Sequence, residues 1–193
     1  KIILATQNQG KLKEFQQLSK GKNFEFIPMP EDLKEMPEET GSTFKENAFI
    51  KAKYVSEYFE MPALADDSGL EVDALNGAPG IFSARYSSLK TDLSNSTKLL
   101  RNMKGVAKEN RTARFRCCLL GFLKGKTIFS EGTLEGEIAE SFKGDSGFGY
   151  DPIFLIPEYG LHLAEMKKEE KNKISHRFKA FEVISKSLPS LFI

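Results

Sequence analysis

The first eleven residues restrict the possible folds more than any other part of the chain. An apolar run, IILAT at residues 2–6, ends in the polar, glycine-containing turn QNQGK, and a lysine-rich amphipathic helix is predicted to follow to about Ser19. A strand, a polar turn and a helix in this order are typical of α/β proteins. We therefore expect a sheet flanked by helices, with ligands bound by the loops that leave the ends of its strands.

The remaining sequence continues the alternation of strands and helices. Thr43 and Glu46 form the sequence pattern of a capping box, which predicts the start of a long helix. No internal repeat, low-complexity tract or clear linker interrupts the sequence, so we treat residues 1–193 as a single domain. The further elements that we predict are a strand at 24–30, a loop at 31–42, a helix at about 44–60, a strand at about 62–66, a helix near 92–104, a long hairpin around 124–126, a loop at 142–154 and a last helix at about 174–188.

The charge of the chain limits its partners. Its 193 residues include 28 basic and 27 acidic ones, which gives a net charge of +1. This balance argues against a protein that coats nucleic acid or a membrane through its overall field, so any polyanion it binds is expected to be small and met by local cations. No apolar run approaches the roughly 18 residues of a membrane span, and no signal-peptide pattern precedes Ile2.

The two cysteines, Cys117 and Cys118, are neighbours in a predicted buried strand. Neighbouring side chains on a strand point to opposite faces and cannot easily form a disulfide bond with each other. With two histidines as the only further soft ligands, the sequence argues against a structural zinc site. We expect a reduced, cytoplasmic protein without nucleic-acid or membrane partners.

Two adjacent acids, Asp66 and Asp67, follow the apolar residues of the strand predicted at about 62–66, and Ser68-Gly69 comes next. Adjacent carboxylates repel each other unless a cation or a proton lies between them. A Mg²⁺ ion usually takes one or two carboxylates together with substrate phosphates, and an Asp beside such an ion can deprotonate a water. The alternative is a turn, since Asp-Ser-Gly is favourable turn chemistry and Asp66 could cap backbone amides.

Two further segments offer positive groups for phosphate. In the turn from Thr6 to Lys11, side-chain donors, the open N–H groups of a helix start and the Lys11 charge suit phosphate, although the spacing is not that of a Walker loop and a simple helix cap would look similar. Lys51 lies in the middle of the apolar face of the helix predicted at about 44–60. Its ammonium could serve a ligand or could extend to solvent while its stem covers the core.

A flat ligand is suggested by GFGYDP, in which Gly147 and Gly149 flank Phe148 and leave its ring uncrowded for stacking. The alternative is a hairpin with core aromatic residues. His176 and Arg177 begin a predicted helix, where the helix dipole disfavours cations, so an anionic or carbonyl group is expected opposite them. Together these segments describe a nucleotide phosphohydrolase better than any other site.

Five longer motifs occur in the order ILATQNQGK, EETGSTFKENAFIKA, ADDSGLEVDALNGAPGIFSARY, GFGYDPIF and EEKNKISHRFKAF. In these motifs, over nearly its whole length, the chain closely resembles the inosine triphosphate pyrophosphatase family, the Ham1-like enzymes that act on non-standard purine nucleotides. The resemblance implies a mixed, twisted sheet flanked by helices, in an elongated, two-lobed single domain with the active site in a cleft between the lobes. It also implies Mg²⁺-dependent hydrolysis of ITP, dITP or XTP between the α and β phosphates, and a homodimer.

The resemblance also assigns roles to individual positions. Glu39 and Asp67 would be the magnesium carboxylates, with Asp67 as the base for the attacking water. Phe148 would stack on the purine base. Gln7 departs from the family, which often has glycine there, and glycine tolerates a positive φ more readily than glutamine. The residues assigned to substrate binding are Thr6, Gln7, Asn8, Gln9, Gly10, Lys11, Lys51, Ser68, Phe148, Gly149, Tyr150, Asp151, Lys171, His176 and Arg177, of which Asp151, His176 and Arg177 would read the edge of the base.

Two other functions remain open at the level of sequence. A Maf-like pyrophosphatase would share the general fold but act on other nucleotides, such as dTTP or UTP. A nucleotide-binding regulator would use the same phosphate loop without hydrolysis, although it would have no need of the second carboxylate, Glu39.

Overall fold

The computed structural model describes residues 1–30, 33 and 35–192. Within them the predicted alternation of strands and helices is present, together with several short 3₁₀ helices. Residues 31, 32 and 34 of the predicted 31–42 loop lie outside the described residues, and the described remainder of that loop contains neither helix nor strand. The main elements are β1 (Ile2–Leu4), α1 (Gln9–Leu18), β2 (Phe26–Ile27), α2 (Phe44–Phe59), β3 (Ala63–Val72), α3 (Asp92–Asn102), β4 (Thr112–Leu123), β5 (Lys126–Ile138), β6 (Phe154–Ile156), β7 (Leu161–His162), α4 (Lys168–Ile174) and α5 (His176–Ile184).

Seven strands form a sheet with the order β2-β1-β3-β4-β5-β6-β7. Strand β1 pairs in parallel with β2 and β3, whereas β6 pairs antiparallel with β5 and β7, so the sheet is mixed, as predicted. In the parallel pair, Ile3 lies opposite Ala63 and Leu4 lies opposite Leu64. Because parallel strands run in the same direction, the turn that follows β1 emerges beside the residues that follow Leu64.

The described residues separate into two compact units, each with its own apolar core. Unit 1 comprises those within 1–67, 117–132 and 177–193, and unit 2 comprises those within 68–116 and 133–176. None of the helices in the described part of the chain is long and apolar enough to cross a membrane.

Unit 1 packs apolar side chains on both faces of its strands. In β1, Ile2 and Leu4 belong to one buried cluster, and Ile3 belongs to another together with Ala5, which follows the strand, because successive side chains of a strand point to opposite faces. Helices α1 and α5 complete the first cluster with aromatic rings such as that of Phe15, and the apolar face of α2 completes the second. Strands covered on both faces read as continuous apolar runs, which is why the start of the sequence is so apolar.

The core of unit 2 is a single cluster that joins α3 to the strands. Leu99 and Met103 of α3 belong to it together with Phe154 of β6. The Arg111 guanidinium is buried beside this core and donates to four backbone carbonyl oxygens. Each of its three nitrogens therefore has an acceptor, as burial of a charged group requires.

Two predicted elements are shorter in the structure. The strand predicted at 24–30 is reduced to β2, since the prolines of PMP lack the N–H groups that a continuing ladder needs. The helix predicted at about 174–188 is shortened to α5. It begins at His176, because Ser175 is extended with φ −63° and ψ 147°, and it ends at Ile184. Helix α4 is an element that the sequence pattern did not predict.

The predicted hairpin and the predicted start of α2 are present, with one change. Lys124 and Gly125 join β4 to β5, and their φ values of 47° and 81° lie in the left-handed region that tight hairpins use. The Thr43 side chain accepts a hydrogen bond from the Glu46 amide. The Glu46 carboxylate accepts from the Ser42 amide, one residue before the predicted donor Thr43, and hydrogen bonds from Ser42 and the Thr43 backbone hold the pKa of Glu46 below its ordinary value.

Candidate active site

Asp66 and Asp67 lie inside strand β3, which continues to Val72. The prediction of a strand end and turn at Asp66-Asp67-Ser68-Gly69 is therefore wrong. Neighbouring side chains on a strand point to opposite faces, so the two carboxylates do not face each other. Asp66 is instead paired with two cations and Asp67 with a third, and this pairing allows two buried acids to follow one another in an extended strand.

Lys51 of α2 brings Asp67 and Glu39 together. Its ammonium nitrogen lies 2.7 Å from Asp67 Oδ1, 2.8 Å from Glu39 Oε1 and 3.0 Å from the backbone carbonyl oxygen of Asp66. An ammonium group has three N–H donors, so these three acceptors take all of them. The Lys51 side chain is 11% exposed, and the alternative that its ammonium extends to solvent is wrong.

Burial and charge act differently on the members of this group. Burial raises the pKa of the Asp67 carboxyl above its ordinary value, although the Lys51 ammonium opposes the shift. Burial would lower the pKa of Lys51, but the carboxylates of Asp67 and Glu39 outweigh it and raise that pKa. Lys51 is therefore charged, and Asp67 is a carboxylate with an increased affinity for protons, which is the property of a general base.

Asp66 is buried and binds two cations. Its Oδ1 lies 2.8 Å from the ammonium nitrogen of Lys11, and its Oδ2 lies 2.6 Å from Nε of Arg177. The same guanidinium also donates from Nη1 to Oε2 of Glu14 at 3.0 Å. Burial would raise the pKa of the Asp66 carboxyl, but Arg177 and Lys11 outweigh it and hold that pKa well below its usual range. Asp66 is thus a permanent counter-ion that fixes the positions of Lys11 and Arg177.

The turn between β1 and α1 has an ordered cap. The Asn8 side chain accepts from the Lys11 amide at 3.1 Å, and the Asn8 amide donates to Thr6 Oγ1 at 3.1 Å. The first N–H groups of an α-helix have no partner within the helix, so the start of α1 presents donors to a ligand. The predicted phosphate-binding residues on this turn are the exposed Gln7, Asn8, Gln9 and Gly10 and the half-buried Thr6 and Lys11.

In unit 2, Asp151 holds the segment that carries Phe148. Gly147 and Gly149 have φ values of 85° and 63°, and the Phe148 ring between them is 59% exposed. Oδ2 of Asp151 accepts from the Phe148 amide at 2.9 Å and from the Lys171 ammonium. That ammonium lies 5.3 Å from the centroid of the Phe148 ring. The segment therefore presents an aromatic face to solvent from a backbone that is fixed beneath it.

The other predicted site residues of unit 2 have varied environments. Tyr150 is buried and its hydroxyl donates to the Ser83 carbonyl oxygen at 2.7 Å, so the interpretation as a core aromatic is correct for this residue. The His176 ring is half-buried and stacks on Phe115, with 5.2 Å between ring centroids. Ser68 is half-buried within β3.

A model of the Ham1 family matches residues 2–187. The chain belongs to the Ham1 family. The dITP/XTP pyrophosphatase of Listeria monocytogenes serotype 4b (strain F2365) is 48% identical over 192 residues, which cover 97% of this chain and 94% of that protein. The dITP/XTP pyrophosphatase of Bacillus subtilis (strain 168) is 46% identical over 189 residues, which cover 96% of each protein.

Solved structures of the Ham1 family have the same fold. A HAM1 protein from Coxiella burnetii superposes with a TM-score of 0.91 at 43% identity, covering 98% of both chains. The Staphylococcus aureus Ham1 protein superposes with a TM-score of 0.88 at 39% identity, also covering 98% of both. The family predicted from the sequence motifs is therefore confirmed.

Glu39 and Asp67 fit the magnesium ion that the Ham1 resemblance implies. Oxygens of both carboxylates converge on one positive group, the Lys51 ammonium, so they can approach a single cation. Among the described residues there is no cluster of three or more side chains that could hold a metal ion by themselves. Two carboxylates suit Mg²⁺, which keeps several waters and completes its coordination with substrate phosphates.

Gln7, which stands where Ham1 proteins often have glycine, fits the turn without strain. It is exposed, and its φ is not positive. Glutamine therefore adopts this backbone without the cost that a left-handed conformation would impose on it.

Sequence reasoning missed two residues of the Asp66 cluster. Glu14, which binds Arg177, lies three positions after Lys11 on α1, and this spacing could have placed both on one helix face. Cys117 Sγ lies 3.7 Å from Asp66 Oδ2, and nothing in the local sequence indicates that contact.

Proposed function

We propose that this protein hydrolyses dITP, ITP and XTP to the nucleoside monophosphate and pyrophosphate, and so removes non-standard purine nucleotides from the nucleotide pool. The observation that carries the proposal is the pair of carboxylates, Glu39 and Asp67, gathered around one cation in a member of the Ham1 family. The names of its relatives, dITP/XTP pyrophosphatases at 46–48% identity, support the same substrate class.

The residues around Asp67 suit attack of water on a phosphate. Glu39 and Asp67 would hold Mg²⁺, which supplies Lewis-acid polarisation of the phosphate oxygens when it is bound. Asp67, with its raised pKa, accepts the proton of the attacking water. Glu39 contributes the second negative charge, for which a protein that only binds nucleotides would have no use.

Cations and helix donors suit the triphosphate. Lys11 and the first amides of α1 form one group of donors, and Lys51 supplies a second positive charge. Asp66 keeps Lys11 in position by holding its ammonium, so the loop does not rely on a mobile side chain. Preorganised donors of this kind bind charge with little cost of rearrangement.

Residues of the predicted base-binding set suit a 6-oxopurine. The exposed ring of Phe148 offers a stacking surface. Hypoxanthine and xanthine carry a 6-oxo group that accepts hydrogen bonds, whereas adenine carries an amino group there. Donors from His176 and Arg177 would be left unpaired against adenine, and sites of this type can reject an analogue by roughly 10⁴–10⁵-fold.

We further propose that the enzyme works in the cytoplasm as a homodimer. Its two buried cysteines form no disulfide, which suits a reducing compartment, and the dimer follows from the family resemblance. Sedimentation equilibrium should give about twice the chain mass of 21.7 kDa. A mass equal to that of one chain at micromolar concentration would contradict the dimer.

Product analysis tests the activity. The protein is incubated with Mg²⁺ and dITP, dGTP or dTTP, and the products are separated by anion-exchange chromatography. We expect dIMP and pyrophosphate, with dITP consumed faster than the other two. Preferred turnover of dTTP would favour a Maf-like enzyme, and intact dITP would favour a regulator.

A further inference from the structure

The Lys51 ammonium occupies the position toward which both metal-binding carboxylates point. It bridges Asp67 Oδ1 and Glu39 Oε1, at 2.7 Å and 2.8 Å, and completes its hydrogen bonding on the Asp66 carbonyl oxygen. A lysine that served only phosphate would need donors left over for the ligand, and all three are already used. The side chain is also buried on the apolar stripe of α2.

We propose that Lys51 is a built-in counter-cation that competes with the divalent metal ion for Glu39 and Asp67, so that binding of the metal displaces its ammonium from the carboxylates. This inference rests on the proposed function, because it takes these carboxylates as the metal ligands.

Electrostatics require this competition. A metal ion bound to both carboxylates would lie within a few ångströms of the ammonium, and like charges at that distance repel strongly in a partly buried site. Without the ammonium, two partly buried carboxylates would repel each other instead. Lys51 therefore keeps Glu39 in place beside Asp67 in the metal-free protein and gives up these contacts when a stronger cation arrives.

The exchange also explains how one lysine can serve two partners in turn. An ammonium displaced from Glu39 and Asp67 recovers donors that can bind the triphosphate. Binding of the metal and binding of the nucleotide tail then assist each other through Lys51, since each removes the partner that the other must displace.

The test measures metal binding without nucleotide. Mn²⁺ is titrated into the wild type, Lys51→Met and Lys51→Gln, and free Mn²⁺ is followed by electron paramagnetic resonance. Both variants should bind Mn²⁺ at least about tenfold more tightly than the wild type, within the range usual for coupled sites. The control Lys53→Met removes a half-exposed lysine of the same helix and should leave the affinity unchanged.

Two additional measurements locate the effect. Replacing Glu39 by Gln in the Lys51→Met protein should abolish the gain, because the metal then loses one of its carboxylates. Mg²⁺ should shift the ammonium signal of Lys51 in spectra of ¹⁵N-lysine-labelled wild type. An equal or weaker Mn²⁺ affinity in both Lys51 variants would overturn the proposal, as would a gain that survives the Glu39 replacement.

Failure of this inference can be distinguished from failure of the proposed function. If the wild type converts dITP to dIMP and pyrophosphate while the Lys51 variants show no gain in Mn²⁺ affinity, the function stands and the competition is refuted. If dITP remains intact while the variants bind Mn²⁺ more tightly, the competition stands and the function is refuted.

Discussion

The carboxylate of Asp67 takes its chemical character from burial rather than from its sequence neighbour. Burial raises its pKa, whereas the adjacent Asp66 has its pKa held well below the usual range by two cations on the other face of β3. Two residues of the same type, one peptide bond apart, therefore differ in proton affinity: Asp67 accepts a proton more readily than Asp66.

Replacing Asp67 tests its role as the base. Asp67→Asn retains the shape of the side chain and an acceptor for Lys51 but cannot accept a proton. We expect kcat for dITP to fall at least about 10²-fold, the usual range for loss of a general base, while the fold remains intact. Pyrophosphate release and circular dichroism measure the two effects. Near-normal turnover would remove Asp67 as the base.

Replacing Asp66 tests its role as a counter-ion. Asp66→Asn removes the more buried of the two charge partners of Arg177 and leaves only Glu14, and breaking a buried pair typically costs about 3–5 kcal/mol. Urea unfolding at pH 7 should show a loss of that size. The control is Asp73→Asn, which breaks the ion pair between Asp73 and Arg114. Because the Asp73 side chain is half-exposed, this substitution should cost less than about 1 kcal/mol. Equal losses in both variants would contradict this role.

The depressed pKa of Asp66 also predicts how stability depends on pH. Its folded-state pKa lies below the unfolded value of about 3.9, so its stabilisation is present above that pH and is lost as pH falls through the folded-state pKa. Below about pH 4 the unfolding free energy of the wild type should therefore fall more steeply than that of Asp66→Asn. Asp67 has the opposite sign, because its raised pKa makes protonation favour the folded state. Parallel pH profiles would show that folding does not lower the pKa of Asp66.

At the scale of elements, the segment that presents Phe148 depends on a glycine. A Cβ at Gly147 would lie 2.1 Å from Asp151 Oδ2, and the φ of 85° is itself unfavourable for alanine. Gly147→Ala should separate Asp151 from the Phe148 amide and move the ring. We expect the KM for dITP to rise about tenfold, equivalent to about 1.4 kcal/mol of binding, with a smaller change in kcat.

A second glycine with a positive φ distinguishes the effect of the contact with Asp151 from the effect of backbone strain. Gly160 also has a positive φ, 64°, but a Cβ there would have no atom within 4 Å. Gly160→Ala should therefore lower stability through strain alone and leave the KM unchanged. If both substitutions raise the KM equally, the contact with Asp151 does not position Phe148.

Structural features that depend on residues close together in the sequence could be predicted, and those that depend on residues far apart in the sequence could not. The cap at Thr43 depends on Glu46, three positions away, and was predicted. The continuation of β3 through two acids was not, because the cations that make it possible are far away in sequence. Lys11 is 55 positions from Asp66, and Arg177 is 111 positions from it.

At the scale of the whole molecule, the site also contains features that depend on neighbours in sequence and features that depend on distant residues. The motifs identified the segments that contain Glu39, Lys51 and Asp67, since each motif is continuous in sequence. They could not indicate that Lys51 would bind both carboxylates, because periodicity places a residue on a helix face without naming its partner. For a lysine in the middle of an apolar stripe, only the tertiary contacts show whether its ammonium extends to solvent or binds a buried partner.

The near-neutral charge of the whole chain predicts that substrate capture depends on a few local cations. A net charge of +1 gives no general attraction for a triphosphate, so distant lysines should contribute little. Lys20 and Lys22, exposed in the turn after α1, are suitable controls for Lys11. We expect Lys20→Gln and Lys22→Gln to change kcat/KM for dITP less than about twofold, and Lys11→Gln to lower it at least about tenfold.

Measuring these variants over a range of salt concentrations separates the two kinds of attraction. Added NaCl screens charges that lie more than about 10 Å apart in solvent but acts weakly on close, partly buried pairs. The lower kcat/KM of Lys11→Gln should therefore persist at high salt, because Lys11 would contact the phosphate directly. If the loss of kcat/KM disappears with salt, or if Lys20→Gln shows the same loss, the overall electrostatic field of the protein attracts the nucleotide and Lys11 does not bind it directly.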